Sequence, residues 1–337
     1  MAAKKLNQFT PDGRLLQVEY AMTAACSKSA PIACVGLSIP TFSGDGHQGE
    51  TEDESLLIMA TISSTSLPHS NIDDGCIPGE NANDRGWSQD SSSAGRAQNR
   101  IIEVPVSSFY NCNPTGPHRA TTSILVGLSG LLPDAASLLQ VTLSQLEHEQ
   151  RMFGWHRLGS NLGQSQSQTT DICRRLGRSI ADKCQKHAFG GGLRPVGASI
   201  LLASVDGSMG SIGNYGAMMT MCETLPNGDC TVSKNGRCPQ IMVTGGSSRS
   251  RARLTALLRP RMMHLLNLSI QQHKLHSAFL REAVESIILS LFEQQNAELF
   301  DNRKVEVVLQ SSVHGTVRIP DDVVSKIVAD MMRKSSR

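Results

Sequence analysis

Between Phe9 and Met22 the chain reads F-T-P-D-G-R-L-L-Q-V-E-Y-A-M, and these residues dictate a bend followed at once by a helix. Pro11 fixes φ for the first central position of a turn, and Gly13 accepts the positive φ that other residues avoid. Val18, Ala21 or Met22, and Ala25 then recur at helical spacing. Glu19 lies near the start of that helix, where a negative charge suits the macrodipole. Turn chemistry accounts for Pro11 and Gly13, but it does not dictate Gln17, Glu19 and Tyr20 in that order.

The rest of the chain alternates between apolar runs and punctuating polar stretches. Ile32 to Ile39 and Leu56 to Ile62 read as two strands joined by an acidic, Gly-rich turn from Ser43 to Glu54. Residues 63–98 are dense in Ser, Asn, Asp and Gly and almost empty of aliphatics, which predicts a disordered surface insertion. Strands are expected at Ile101 to Val106 and Ser123 to Gly127. Asp134 then serves as a helix N-cap, with Pro133 just before it and with Leu138, Leu139, Thr142 and Leu146 on one face. A second helix, about Thr170 to His187, spaces Ile172, Leu176, Ile180 and Cys184 by four. It is ended by Gly190-Gly191-Gly192.

Further strands are expected at Gly210 to Met221 and Gln240 to Thr244, bracketing Leu225-Pro226-Asn227-Gly228. A short helix from about Ser247 to Leu258 precedes a longer one carrying Phe279, Ala283, Ile287 and Leu291. A last strand, Val305 to Gln310, leads to a helix after Pro320-Asp321-Asp322. This order predicts an α+β fold built as a four-layer αββα sandwich, two stacked sheets with helix pairs on both outer faces.

Phe9 to Met22 resembles the N-terminal signature of proteasome α-type subunits, F-S-P-(D/E)-G-R-(L/V)-x-Q-V-E-Y-A, with Thr10 for Ser as the one departure. Ser129-Gly130-Leu131-Leu132-Pro133-Asp134-Ala135 resembles that family's S-G-x-x-x-D-A turn. Arg194-Pro195-Val196-Gly197 resembles its R-P-(F/Y)-G strand start, with Val196 in place of the aromatic. The resemblance implies the Ntn-hydrolase, or proteasome-subunit, version of the sandwich. Residues 1–28 would form the gate segment and signature helix, and residues 29–337 the sandwich domain. It also implies a non-catalytic subunit of the outer α ring of the 20S core particle, with roles in ring assembly, gating of substrate access and ubiquitin-dependent protein catabolism. The implied partners are other proteasome α and β subunits in a hetero-heptameric ring, with a regulatory particle or activators on the outer face. The signature residues that would carry ring and gate contacts are Phe9, Pro11, Asp12, Gly13, Arg14, Gln17, Glu19 and Tyr20.

Two of the family's features are missing. Where most α-type subunits carry the gating Tyr-Asp-Arg, this chain has Ala2, Ala3 and Lys4. The Lys that follows the second strand and pairs with an activator's C-terminal carboxylate falls on Thr61, Ile62 or Ser63, none of which is Lys. An activator pocket formed by this chain should bind such a tail weakly or not at all.

Catalysis in this fold needs an N-terminal Thr released after Gly at the head of the first strand. That strand is preceded here by Ser27-Lys28-Ser29-Ala30-Pro31, while Gly315-Thr316 and Gly75-Cys76 lie elsewhere, so a catalytically silent chain is expected. Neither a cofactor nor a metal site is expected. The nine cysteines form no C-x-x-C pair, the ten histidines form no H-E-x-x-H, and Cys222, Cys230 and Cys238, at intervals of eight, lack a fourth ligand nearby. Gly44-Asp45-Gly46-His47-Gln48-Gly49 fits G-x-G-x-x-G but opens no helix, so it reads as a strand-connecting turn.

The 337 residues, 39% of them hydrophobic, are enough for a substantial core, and a formal charge of +2 argues against binding driven by bulk charge. No run approaches the roughly 20 apolar residues of a membrane span. The first residues lack the apolar stretch of a secretory signal, so a cytoplasmic and nuclear protein is expected. A rival reading rests on Arg249, Arg251, Arg253, Arg259 and Arg261: a proteasome-fold relative outside the ring, binding nucleic acid or an acidic partner through a basic patch. With 4% aromatic residues there is no stacking platform beside this cluster, and a solvated helix face is the better account.

Overall fold

The computed structural model describes residues 9–26, 30–42, 51–64, 100–106, 123–153, 168–190, 193–205, 219–233, 239–272, 277–294, 303–311 and 315–335. In chain order the elements are helix α1 (Leu16–Cys26), strands β1 (Ile32–Phe42), β2 (Thr51–Ser64), β3 (Ile101–Pro105) and β4 (Ser123–Gly130), and helices α2 (Leu132–Phe153) and α3 (Gln168–Phe189). Strands β5 (Ala198–Val205), β6 (Met219–Thr224), β7 (Cys230–Val232) and β8 (Gln240–Thr244) follow. Helices α4 (Ser248–Gln272) and α5 (Ser277–Gln294), strands β9 (Arg303–Ser311) and β10 (Gly315–Arg318), and helix α6 (Asp321–Ser335) complete the chain. The fold is thus mixed helix and sheet, as an α+β class requires.

The strands form two antiparallel sheets, ordered β10-β9-β2-β1-β8 and β3-β4-β5-β6-β7. Each central strand is apolar on both faces, and the period of two sorts its residues between different cores. In β1, Ala33, Val35 and Leu37 join Ile58 and Ala60 of β2 in a core capped by Leu258 and Met262 of α4, Ile287 and Leu291 of α5, and Ile327 of α6. Residues of the opposite parity, Ile32, Cys34, Leu57 and Met59, meet Leu125, Leu201, Ala203 and Met221 of the other sheet. That second sheet sends Val126, Ile200, Leu202 and Cys222 toward Leu138 of α2 and Ile172, Leu176 and Ile180 of α3.

The two sheets approach so closely that a side chain at Gly36 would collide with Met219 Sδ, and one at Gly127 would stand 3.1 Å from Ile32. Polar groups fix their alignment. Glu306 on β9 accepts from the backbone N–H of Arg100 at 2.9 Å and pairs with Arg318, while Gln310 Nε2 donates to the Ser123 carbonyl at 2.8 Å. Ser199 and Thr244 hydroxyls lie 2.9 Å apart across the same junction.

The structure corrects several expectations. Helix α2 begins at Leu132, so Asp134 lies inside the first turn instead of capping it, and Pro133 occupies a first-turn position where a missing N–H is harmless. Helix α4 does not stop near Leu258. It continues through Pro260 to Gln272 because Leu254, Leu258, Met262, Leu265 and Leu266 hold one buried stripe while Pro260 faces outward. The strand expected from Gly210 is described only from Met219, and two short edge strands, β7 and β10, went unread. Residues 65–98 of the expected insertion, the 44–49 Gly motif and Cys76 lie outside the described residues.

Candidate functional site

The signature segment begins with a tight turn. The Gly13 N–H donates to the Thr10 carbonyl at 2.8 Å, and the Thr10 N–H donates to the Arg14 carbonyl at 2.9 Å. Gly13 has φ of 76°, which explains glycine at that position. Thr10 Oγ1 accepts from the Arg14 N–H at 3.0 Å, a role that needs only a hydroxyl and so explains why Thr can stand for Ser. Arg14 Nε then donates to Glu19 Oε1 at 2.8 Å, tying the turn to the first turn of α1.

Helix α1 is seated by small residues. Ala21 and Ala25 are its buried positions. A Cβ at Gly130, whose φ is 103°, would lie 3.1 Å from Ala25 Cα and 2.5 Å from the Gly197 carbonyl. A Cβ at Gly197 would lie 3.4 Å from Ala24 Cβ. Ser129 Oγ donates to the Ala25 carbonyl at 3.3 Å, satisfying one of the carbonyls left open at the helix end.

Asp134 holds this seat together from α2. Its carboxylate accepts from Arg194 Nη1 at 2.7 Å, from Nη2 as well, and from the Gly197 N–H at 2.7 Å. The Arg194 hydrogen bonds, helped by the Gly197 N–H, hold the Asp134 carboxyl below the usual carboxylate range despite partial burial. Asp134 therefore braces the β5 start against the β4–α2 turn, the two loops on which α1 rests.

Seated in this way, α1 turns apolar side chains outward. Phe9 is 62% exposed and Tyr20 61%, with Leu16 also exposed, while Gln17, Val18 and Glu19 are half-buried. Pro11, Asp12 and Arg14 are exposed. Leu131 and Leu193 on the bracing loops, with Leu132 at the start of α2, add further exposed apolar surface.

Thr61, Ile62 and Ser63 belong to the end of β2. Thr61 is buried, with Oγ1 donating to the Pro31 carbonyl at 3.0 Å, and Ile62 is in the helix-covered core. The side chain of Ser63 lies outside the described residues, as do Ala2, Ala3 and Lys4. The arginine cluster is divided. Arg251 pairs with Glu223 at 2.9 Å, and Arg261 pairs with Glu293 at 2.8 Å and Ser290 at 2.7 Å. Arg249, Arg253 and Arg259 are exposed on α4. Among the described residues no helix is long and apolar enough to cross a membrane, and no group of His, Cys, Asp and Glu could hold a metal ion.

What the sequence did not disclose is the brace. Asp134 and Arg194 lie 60 positions apart, and only the two motifs that contain them hinted that both matter.

Residues 4–24 match the family described as the N-terminal signature of proteasome α subunits. No curated protein matches the chain. The chain carries that signature, which supports a proteasome α-type subunit.

Proposed function

We propose that this chain is a non-catalytic α-ring subunit of the 20S proteasome core particle. It would assemble with other α and β subunits in a hetero-heptameric ring and narrow substrate access to the proteolytic chamber, serving ubiquitin-dependent protein catabolism in cytoplasm and nucleus. The observation that carries this reading is the signature turn and helix, seated on Gly130 and Gly197 with Phe9, Leu16 and Tyr20 turned outward. Exposed aromatic and aliphatic side chains on a rigidly seated helix suit burial against a neighbouring subunit.

The two sheets and their helices support the four-layer αββα sandwich of the Ntn-hydrolase type, with residues 1–28 as gate segment and signature helix and 29–337 as the sandwich. A silent chain is supported by the last turn of α1. It packs on Ser129 and Gly130, at the sheet end where Gly245 approaches Ser129 and the Ala30 carbonyl just before β1. That end is where a released N-terminal nucleophile would have to work. The burial of Thr61 and Ile62 is in keeping with a pocket that binds an activator tail weakly or not at all.

Co-expression with a set of α and β subunits tests the proposal. The chain is expected in the high-mass fraction with them, and persistence of the chain as a free 36.3 kDa species would count against it.

A further inference from the structure

Two thiols meet where β6 and β7 fold back over helix α3. Cys222 Sγ lies 3.2 Å from Cys230 Sγ. In the strand register Thr224 faces Cys230 and Cys222 faces Val232, so the cysteines are diagonal neighbours on one face of the hairpin. That face is covered by α3, and the helix makes room there. A Cβ at Gly177 would collide with Cys222 Sγ and stand 3.5 Å from Cys230 Sγ. Glycine inside a helix costs about 1 kcal/mol relative to alanine, and here the bare backbone accommodates the sulfur pair. Thr224 Oγ1 donates to the Gly177 carbonyl at 3.2 Å, pinning hairpin and helix together.

The two thiols differ in environment. Cys222 is fully buried, whereas Cys230, on a three-residue edge strand, is partly exposed. Either thiol could donate across this contact, and the arrangement with Cys230 as acceptor is the one that lowers its thiol. That hydrogen bond, with Arg178 nearby, holds the Cys230 thiol down at about 7 against partial burial and the Asp182 carboxylate. Giving the same hydrogen bond, together with burial and the neighbouring Cys173, pushes Cys222 far up. Cys34 and Cys184 are raised by burial alone or mainly so, and Cys26 is raised as well.

We propose that Cys222 and Cys230 form a dithiol modification site that a hydroperoxide converts into an intramolecular disulfide closing the β6–β7 hairpin. The Cys230 thiolate attacks one peroxide oxygen, the O–O bond breaks, and the other oxygen leaves with a proton as alcohol or water. Cys230 is then a sulfenic acid. The Cys222 sulfur attacks the Cys230 sulfur, the S–O bond breaks, and hydroxide leaves with the Cys222 proton as water. Two thiols lose two electrons, which the peroxide gains. A disulfide bond of about 2.05 Å requires the sulfurs to close by about an ångström, which side-chain rotation and the short edge strand can supply. The site does not depend on membership of a ring.

The folded full-length chain should be treated with hydrogen peroxide at neutral pH, its remaining thiols alkylated, and the unreduced digest mapped by mass spectrometry. A Cys222–Cys230 linked peptide is expected, appearing several-fold faster than modification of Cys34, Cys173 or Cys184 and reversed by dithiothreitol. Cys222→Ser should stop the reaction at a Cys230 sulfenic acid captured by dimedone, and Cys230→Ser should leave Cys222 unmodified. Thermal unfolding of both variants establishes that they are folded, and Cys222→Ala provides an apolar replacement at the same position. Recovery of Cys222 and Cys230 as alkylated thiols while Cys34 or Cys184 oxidises would overturn the proposal. So would a Cys230 sulfenic acid that persists in the unmutated chain.

Discussion

The Asp134 carboxylate accepts from both terminal nitrogens of Arg194, Nη1 at 2.7 Å on Oδ2, and the same Oδ2 accepts from the Gly197 N–H at 2.7 Å. This contact between the start of α2 and the start of β5 is what fixes the ledge under the signature helix. Asp134 is buried while Arg194 stays largely open to water, so the Arg194 hydrogen bonds, the largest stabilising influence on the carboxylate, are partly screened by solvent, and the Gly197 N–H adds to them against the cost of desolvation.

Asp134→Ala should lower stability by about 1–3 kcal/mol, chiefly the cost of leaving the buried Gly197 N–H without its acceptor. Urea unfolding of the two proteins at pH 7 measures it. An effect below a few tenths of a kcal/mol would show that the ledge stands without its brace.

The same contact sets a pH dependence. Arg194 and the Gly197 N–H depress the folded-state pKa of Asp134 below its unfolded value. Its contribution is therefore fully present above the unfolded pKa of about 4 and is lost as pH falls from there through the folded pKa. The stability gap between the unmutated chain and Asp134→Asn should be constant from pH 7 to about 5 and narrow below about 4. A gap that widens on acidification would contradict the assignment.

Gly130→Ala tests the seat itself. Its φ of 103° and a would-be Cβ 2.5 Å from the Gly197 carbonyl leave no strain-free accommodation. A loss of about 1–3 kcal/mol is expected, with α1 becoming the first site of limited proteolysis. An unchanged melting temperature and cleavage pattern would refute the close approach of α1.

Much of this architecture was legible locally. The apolar runs of β1 and β2, the four-residue spacing of Ile172, Leu176, Ile180 and Cys184, and the Pro11–Gly13 bend all follow from short-range rules, and each falls in the element expected for it. Asp134 was misread because an acidic residue near a helix start satisfies the rule for a cap, while its real partner is 60 residues away. Helix α4 runs past the expected end at Leu258 because Met262, Leu265 and Leu266 continue its buried stripe, and that packing offsets the hydrogen bond lost at Pro260. Strands β7 and β10 are too short to show alternation and exist because a neighbouring strand offers a free edge. Gly130, Gly197 and Gly177 carry no local signal for the element each admits; only the packing reveals it.

Tyr20 and Phe9 separate assembly from stability. Both are more than half exposed, so Tyr20→Ala should change the stability of the isolated chain by less than about 0.5 kcal/mol. Incorporation into subunit complexes should nevertheless fall markedly, read as the fraction of chain in the high-mass peak. Unimpaired incorporation of a Phe9→Ala, Tyr20→Ala double variant would remove the exposed face from the account.

The isolated, protease-free chain should not hydrolyse fluorogenic peptides. Turnover that follows the chain through purification, and that a substitution in the chain abolishes, would reverse the silent reading.

The central claim is tested most directly by recovering a tagged copy from its native cells under mild conditions, sizing the complex and identifying its companions by mass spectrometry. The account predicts elution at the mass of a complete core particle, together with other α and β subunits. A monomer, or a chain accompanied by RNA or unrelated proteins, would contradict it.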